Sequence, residues 1–359
     1  MDFFGTLKIM REMYYKVKSR KLDGTTKYSG SASDICRSII RDCWNGHYLM
    51  TSTGHFNYFW TRDFGWCTES LINQGFSKEV NETLKFALKV FSDNKEVTNL
   101  INPDNETINI PSYSVDSLPW LVHSLRLSKN ESLVSKYGSF IETESKKLFN
   151  KAVSKTTGLV KKGYYSSIKD YAVRNSSTYD NVMIAMLSDD LSALGLKNPF
   201  SGLSVKASII KYLWTGSHFR NDLDDASVSS DANIFPFITG VFDDRAMISS
   251  CVKAMINAGL DKPLPIRFSL SELKNPIIHY MLVPNYQGST VWTHMGPLFI
   301  KMVKGVNPVL AKRYKDGYKR LIEKYGNYLE VLNDDLTPFQ SNFYMSDEGM
   351  LWAVNYLDL

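Results

Sequence analysis

At 359 residues, with 43% hydrophobic and 22% charged side chains, the chain has an ordinary globular composition, which excludes a disordered, collagen-like or coiled-coil polypeptide. Lys and Arg number 42 against 37 Asp and Glu, and the net charge of +5 is spread without a basic block beyond short runs such as Lys18 to Lys21, so nucleic acid is not an expected partner. Four cysteines (Cys36, Cys43, Cys67, Cys251) fit neither a disulfide framework nor a zinc spacing, so a reducing compartment, no metal and no cofactor are expected.

Charged residues interrupt Met1 to Arg20 (Asp2, Lys8, Arg11, Glu12, Lys16, Lys18), and no stretch reaches 18 uninterrupted apolar positions. Neither a signal peptide nor a membrane span is expected, and the reading is cytoplasmic. Four Asn-x-Ser/Thr sites (Asn81, Asn105, Asn130, Asn175) would then go unused.

Helical periodicity runs through almost the whole chain. A leading segment, 6–18, is followed by twelve more: 34–44, 63–74, 78–92, 116–127, 131–150, 179–194, 204–214, 229–239, 243–257, 291–303, 308–325 and 346–357. Ile35, Ile39, Ile40 and Cys43 illustrate the pattern, as do Val80, Leu84, Ala87, Leu88 and Phe91. The connections alternate in character. Gln74 to Ser77, Ser128 to Asn130, Gly240 to Phe242 and Lys304 to Pro308 are short, plain turns. The others are rich in aromatic, carboxylate, amide, Arg and His side chains: His55 to Asp63, Pro111 to Asp116, Lys169 to Asn181, Phe219 to Asp231, Pro284 to His294 and Tyr328 to Gly349. Six hairpins with functional loops at one end predict an all-α (α/α)6 toroid, six inner helices wrapped by six outer ones, as one domain over 1–359 with 1–32 as a leading extension. The bland alternative is a helical array whose loop polarity reflects only solvent exposure. No strict repeat supports a solenoid.

In chain order, Tyr58-Phe59-Trp60-Thr61-Arg62-Asp63 puts rings beside a cationic fork and a carboxylate, groups that can stack on a sugar and hydrogen-bond its hydroxyls. The alternative is an N-capping Asp63 paired to Arg62, with the rings in the core. Ser114-Val115-Asp116-Ser117-Leu118-Pro119-Trp120 sets another carboxylate at a helix start. Asp116 is either a cap or a catalytic acid, and an acid needs a raised pKa. Asn285-Tyr286-Gln287-Gly288-Ser289-Thr290-Val291-Trp292-Thr293-His294 adds amides, rings and an imidazole. Glu330 interrupts the apolar run Tyr328 to Leu332, as a strand-edge surface residue or one with a task, and Gln340 follows Pro338-Phe339. Two carboxylates with aromatic rings, and no phosphate cradle or nucleophile elbow, are the requirements of glycoside hydrolysis. In an inverting enzyme the carboxyls stand about 6.5–9.5 Å apart.

Phe59-Trp60-Thr61-Arg62-Asp63-Phe64 resembles the W-x-R-D segment of glucoamylases and the aromatic-x-R-D-F segment of alkaline and neutral invertases. Val115-Asp116-Ser117-x-x-Trp120 is similar to the V-D-S-x-x-W segment of invertases and to D-A-x-x-W of glycogen-debranching glucosidases. Asn285 to Trp292 resembles their Y-x-N-G-x-V-W-P loop, with Thr293 in place of proline. Tyr328-Leu329-Glu330, Pro338-Phe339-Gln340 and Gly349 to Ala353 resemble the closing pattern that carries the base. The likenesses keep the family order over about 33–359. Two segments depart: Ser177-Thr178-Tyr179-Asp180-Asn181 stands where relatives carry a Glu, and Tyr344 to Gly349 replaces W-S-A-G.

The resemblance implies a six-hairpin glycosidase: an inverting exo-acting enzyme on a small α-glucoside or oligosaccharide, with Asp116 as general acid and Glu330 as general base. Glucoamylases put the acid in the hairpin loop corresponding to Asp170, which makes Asp170 the second candidate. Substrate contacts are expected from Trp60, Arg62, Asp63, Trp120, Asp170, Asp180, Asn181, Tyr286, Trp292, His294 and Gln340, in a monomer or homodimer whose partner is a small carbohydrate. The alternatives are a sugar epimerase (with His294 and His279), a phosphorylase or an unsaturated uronide hydrolase on the same toroid, and a non-catalytic carbohydrate-binding protein.

Overall fold

A computed structural model describes residues 3–270, 273–274, 276–277 and 283–359; His279 lies outside them. Among the described residues there are thirteen helices and seven short strands. Six helices form an inner ring: α3 (Thr61–Asn73), α5 (Ser117–Ser128), α7 (Thr178–Ala193), α9 (Ser230–Ile238), α11 (Met295–Val306) and α13 (Ala353–Leu357). Each packs on the next, and α13 packs back on α3, closing the circle. Outside it lie α2 (Ala32–Asp42), α4 (Ser77–Asn94), α6 (Glu131–Ala152), α8 (Val205–Leu213), α10 (Arg245–Asn257) and α12 (Pro308–Tyr325). The expected (α/α)6 toroid is the observed fold.

Residue chemistry separates the two layers. Ring helices are walled in on every side, so they are buried nearly all round: Ser117 to Leu125 of α5 and Thr178 to Leu187 of α7 are buried without a break. Outer helices bury a single stripe, Val80, Thr83, Leu84, Ala87, Leu88 and Phe91 in α4, and Ala311, Tyr314, Tyr318, Leu321 and Ile322 in α12. Their ends follow local chemistry. Ser31 and Asp34 form a capping box at α2; Asn307 caps α12, which opens on Pro308 and stops at Gly326 in the left-handed region. Residues from Ala32 to Tyr356 share one hydrophobic core.

Short ladders stitch the rich loops into a belt. Strands β1 (Phe59–Trp60), β2 (Leu100–Ile101) and β3 (Thr107–Ile108) pair antiparallel, with Phe59 opposite Ile101 and Leu100 opposite Ile108. β4 (Arg220–Asp222) pairs with β5 (Asp225–Val228), and β6 (Val291–Trp292) pairs with β7 (Val331–Leu332). Single bridges join Ser114 to Ser166, Ala172 to Pro276 and Ser52 to Met350. Every rich loop is therefore tied to a neighbour by backbone bonds, which limits its freedom.

Three boundaries differ from those expected. The leading helix α1 is longer, Phe3–Asp23 rather than 6–18. The segment expected as helix from 291 begins as strand β6 and becomes helical at Met295, because Val291 and Trp292 pair with Leu332 and Val331. The final inner helix, expected over 346–357, is only Ala353–Leu357. Before it, Asp347 N donates to Glu330 Oε2 at 2.8 Å, Glu330 N donates to Asp347 O at 3.0 Å, and Gly349 has φ +59°, so this backbone is committed elsewhere. The four cysteines are buried and unpaired. Among the described residues no helix is long and apolar enough to cross a membrane.

Candidate active site

The first turns of the ring helices meet at one end. Arg62 in α3 reaches Asp116, which precedes α5; Tyr179 in α7 donates to the same carboxylate at 2.9 Å; Trp352, just before α13, donates to Asp63 at 2.9 Å. Inner helices that start together share an orientation, so the six rich loops face one mouth.

Asp116 sits at the N-cap position of α5 but makes no capping bond with its side chain. Instead Arg62 Nε donates to Oδ2 at 2.6 Å and Arg62 Nη2 to Oδ1 at 3.3 Å, with Ser114 Oγ on Oδ1 at 2.9 Å. The residue has 0% exposure and both oxygens are engaged. The other side of the guanidinium faces Asp170, at 3.5 Å from both carboxylate oxygens. Burial would lower the Arg62 pKa, but Asp116 and Asp170 outweigh it and hold the group charged.

Asp170 is the more open of the pair, its side chain 27% exposed. Ser166 Oγ and Ser167 N both donate to its Oδ1 at 3.0 Å. Burial raises its pKa, Arg62 opposes this, and Asp116 adds to the rise. Asp63, next to Arg62 in the first turn of α3, is pushed up to about 7, chiefly by burial.

Glu330 lies across the mouth, 1% exposed, between Leu329 and β7. Tyr286 Oη donates to Oε1, Tyr344 Oη lies 2.9 Å from Oε1 and 2.7 Å from Oε2, and Asp347 N holds Oε2. Burial raises its pKa, with His55 and the Asp347 amide working the other way. Pairing of β6 with β7 and the bond from Thr293 N to Glu330 O at 3.1 Å fix this strand against the loop that leads into His294.

An aromatic floor lies beneath. His294 stacks on Trp66 at 4.6 Å between ring centroids and touches Trp292 at 5.0 Å and Trp352 at 5.1 Å. Burial first, then Arg62, lowers its pKa far enough to keep the imidazole neutral. Its Nδ1 and the Trp60 Nε1 have no hydrogen-bond partner among the described residues. Trp60 is half-buried, edge-on to Phe56.

The remaining expected site residues divide. Trp120 is buried below Asp116 and donates to Tyr179 Oη at 3.0 Å, and Trp292 donates to the Tyr286 carbonyl at 2.8 Å, so both brace the site. Asp180 accepts from Ser167 Oγ at 2.5 Å and lies 3.8 Å from Arg174. Asn181 accepts from Val160 N at 2.8 Å and donates to Ser177 O at 2.7 Å, bonds internal to the scaffold. Gln340 is exposed, on a bridge to Met345. Sequence reasoning missed Tyr179, Tyr344, Asp347, His55 and Arg20. Tyr179, Tyr344 and Asp347 stood in rich loops, marked only as parts of segments that depart from a motif, and His55 opened another rich loop without being singled out.

Among the described residues no group of His, Cys, Asp and Glu is arranged to hold a metal ion. What the site presents is a partly open carboxyl of raised pKa, a buried carboxylate braced by two tyrosines, and a neutral imidazole on an aromatic floor. Such a set can donate a proton, activate a water and bind hydroxyls.

No sequence family and no curated protein matches this chain. Solved structures match its fold. A rhamnosidase from Klebsiella oxytoca with rhamnose bound superposes with a TM-score of 0.64 at 10% identity, over 92% of this chain and 65% of that one, so this chain spans about two thirds of the rhamnosidase. A glycosidase variant in complex with glucose gives 0.60 at 12% identity, covering 90% and 93%. Mannosylglycerate hydrolase from Thermus thermophilus, in complex with Tris and D-glycerate, gives 0.59 at 12% identity, covering 91% and 100%. The chain thus has the (α/α) toroid that these glycosidases share. At 10–12% identity the likeness is one of fold.

Proposed function

We propose that this protein is a glycoside hydrolase that removes a terminal hexose from a small glycoside or oligosaccharide with inversion, Glu330 acting as general base and Asp170 as general acid. The observation that carries the reading is that Tyr171, next to Asp170 in the chain, packs edge-on against Tyr286 at 6.2 Å between ring centroids, and Tyr286 Oη donates to Glu330, so one pair of rings links the two carboxyl-bearing loops, which are far apart in sequence. The fold it shares with glycosidases, and the rhamnose, glucose and mannosylglycerate in the names of its structural neighbours, support a hexoside substrate.

The division of labour follows from environment. A general acid must arrive protonated and reach the glycosidic oxygen; burial favours the protonated form of Asp170, and its side chain is partly open. Asp116, the first choice from sequence, is enclosed and tied to Arg62, which suits it to hold that guanidinium against the sugar hydroxyls. Burial works against the charged form of Glu330, while the hydrogen bonds from Tyr286, Tyr344 and the Asp347 amide favour it; as base it takes the proton of the attacking water. Trp60, Asp63 and His294 line the terminal sugar.

The test is hydrolysis of a panel of nitrophenyl glycosides with trehalose, sucrose, maltose, kojibiose and mannosylglycerate, the product anomer being read by proton NMR before mutarotation. Release of the opposite anomer, lost in both Asp170→Asn and Glu330→Gln, is expected. Retention of configuration, or no hydrolysis and no sugar binding, overturns the reading.

A further inference from the structure

Behind Glu330, its donors Tyr344 and Asp347 lead into a line of buried polar groups that ends on His55 and Arg20. Tyr344 Oη contacts Glu330 at 2.7 Å and His55 Nε2 at 3.2 Å. The other imidazole nitrogen, His55 Nδ1, lies 2.9 Å from Asp347 Oδ1. Asp347 in turn accepts from Arg20 Nη1 at 3.0 Å, Ser52 Oγ at 2.5 Å, His55 N at 2.9 Å and Phe56 N at 2.9 Å. Burial alone would raise its pKa, but His55, Arg20 and Ser52 outweigh it and hold it ionised. His55 and Asp347 have 0% side-chain exposure. Arg20 also donates to Ser346 O at 3.0 Å and pairs with Glu348 at 3.2 Å, which anchors α1 over this line.

We infer that His55 is a proton acceptor placed behind the general base, connected to it through the Tyr344 hydroxyl and fixed by Asp347 and Arg20. The inference rests on Glu330 being the base. Donor arithmetic leads to it: Tyr344 has one hydroxyl proton and three partners in reach, Glu330, His55 Nε2 and, at 3.0 Å, the Tyr286 hydroxyl, whose own proton goes to Glu330, while Asp347 Oδ1, nearer to Nδ1 at 2.9 Å than Arg20 Nη1 is at 3.3 Å, draws the Nδ1 hydrogen to its own side. With the hydrogen on Nδ1, the lone pair of Nε2 faces Tyr344.

The step balances within the protein. Attack by water breaks its O–H bond and leaves the proton on Glu330. Glu330 passes a proton to the Tyr344 oxygen while the Tyr344 O–H proton moves to the lone pair of His55 Nε2. Glu330 is again a carboxylate, Tyr344 again a phenol, and His55 an imidazolium whose new charge is met by Asp347. As product leaves, the proton returns along the same line to solvent at the half-buried Tyr344 edge. The charged and titratable groups around His55 are Arg20 from α1, Glu330 beside β7, and Tyr344 and Asp347 from the loop before α13, with Lys16 acting on Asp347 and Glu348 paired to Arg20 beyond them.

Two measurements test this, one independent of turnover. In protein carrying 15N-labelled histidine, the Nε2 resonance of His55, followed from about pH 5 to pH 9, is expected to titrate differently in Tyr344→Phe and in Glu330→Gln than in the unaltered chain. An identical Nε2 titration in all three overturns the relay. On the best substrate of the panel, His55→Gln and Tyr344→Phe are each expected to lower kcat about 10- to 100-fold with KM nearly unchanged and to alter the shape of the pH–rate profile. If Glu330→Gln abolishes turnover while both relay variants keep the normal kcat and profile, the base assignment stands and the relay fails. If Glu330→Gln turns over normally, the base assignment itself fails.

Discussion

Asp116 and Asp170 lie on opposite sides of one guanidinium: Arg62 holds the first at 2.6 Å and the second at 3.5 Å. The closer carboxylate is sealed and the farther one is open, so one cation ranks two acids of the same type. From this ranking comes the expectation that Asp170→Asn abolishes kcat, whereas Asp116→Asn mainly raises KM by freeing Arg62. Steady-state kinetics on any hydrolysed glycoside separates the two; a larger kcat loss in Asp116→Asn would return the acid role to Asp116.

Arg62→Ala leaves the enclosed Asp116 carboxylate without its cation. Removing one partner of a buried pair costs about 3–5 kcal/mol, so the variant should unfold at distinctly lower urea concentration as well as lose sugar affinity. The sequence offers Arg62 as a sugar ligand or as the partner of Asp63, and does not show that it holds a sealed Asp116. Arg62→Ala with Asp116→Leu should recover part of the stability, and a double-mutant cycle in urea measures it.

Asp63 gives stability a pH dependence whose sign can be worked out. Its folded pKa, about 7, lies above its unfolded value, so between about pH 4 and pH 7 the folded chain holds a proton that the unfolded chain has lost. The contribution is complete below that window and is lost as pH rises through it. Asp63→Asn keeps an acceptor for Trp352 Nε1 and removes the titration, so its stability relative to the parent should increase from pH 4 to pH 7, at about 1.4 kcal/mol per unit of displacement. Thermal unfolding of both proteins across that range checks it; a parallel pair of curves contradicts it.

Gly65 is where α3 meets α5. A Cβ there would stand 2.6 Å from Trp120 Cβ, in a contact between two packed helices with no room to move. Gly65→Ala should therefore cost about 1–3 kcal/mol and, by shifting Trp120 from Tyr179, weaken the hydrogen bond above it on Asp116. A lowered Tm with quenched or shifted tryptophan fluorescence is the expected readout.

The ring and its rich loops were legible in the sequence because both are local: stripe spacing gives the helices, and Trp60-Thr61-Arg62-Asp63 is contiguous. Glu330 was legible for the same reason, as a charge inside an apolar run. The network behind it was not, since Arg20, His55, Tyr344 and Asp347 meet only when distant parts of the chain come together, and nothing in the spacing of residues 20 and 347 encodes their contact. Shortening of α13 was equally invisible. Ser346 and Asp347 carry no helix-breaking signal; they stay out of the helix because Val331 N and Glu330 claim their hydrogen bonds.

Closure of the ring by α13 on α3 fixes the order in which this protein can mature. Arg20, His55 and Arg62 emerge early during synthesis, and Glu330, Asp347 and Trp352 emerge roughly 15–60 s later at ordinary elongation rates. Until then α3 exposes the face that α13 will cover, and the early half of the site has no counterpart. Completion of the candidate site and ring closure thus arrive together, and the nascent chain meanwhile presents an open apolar seam of the kind that chaperones recognise.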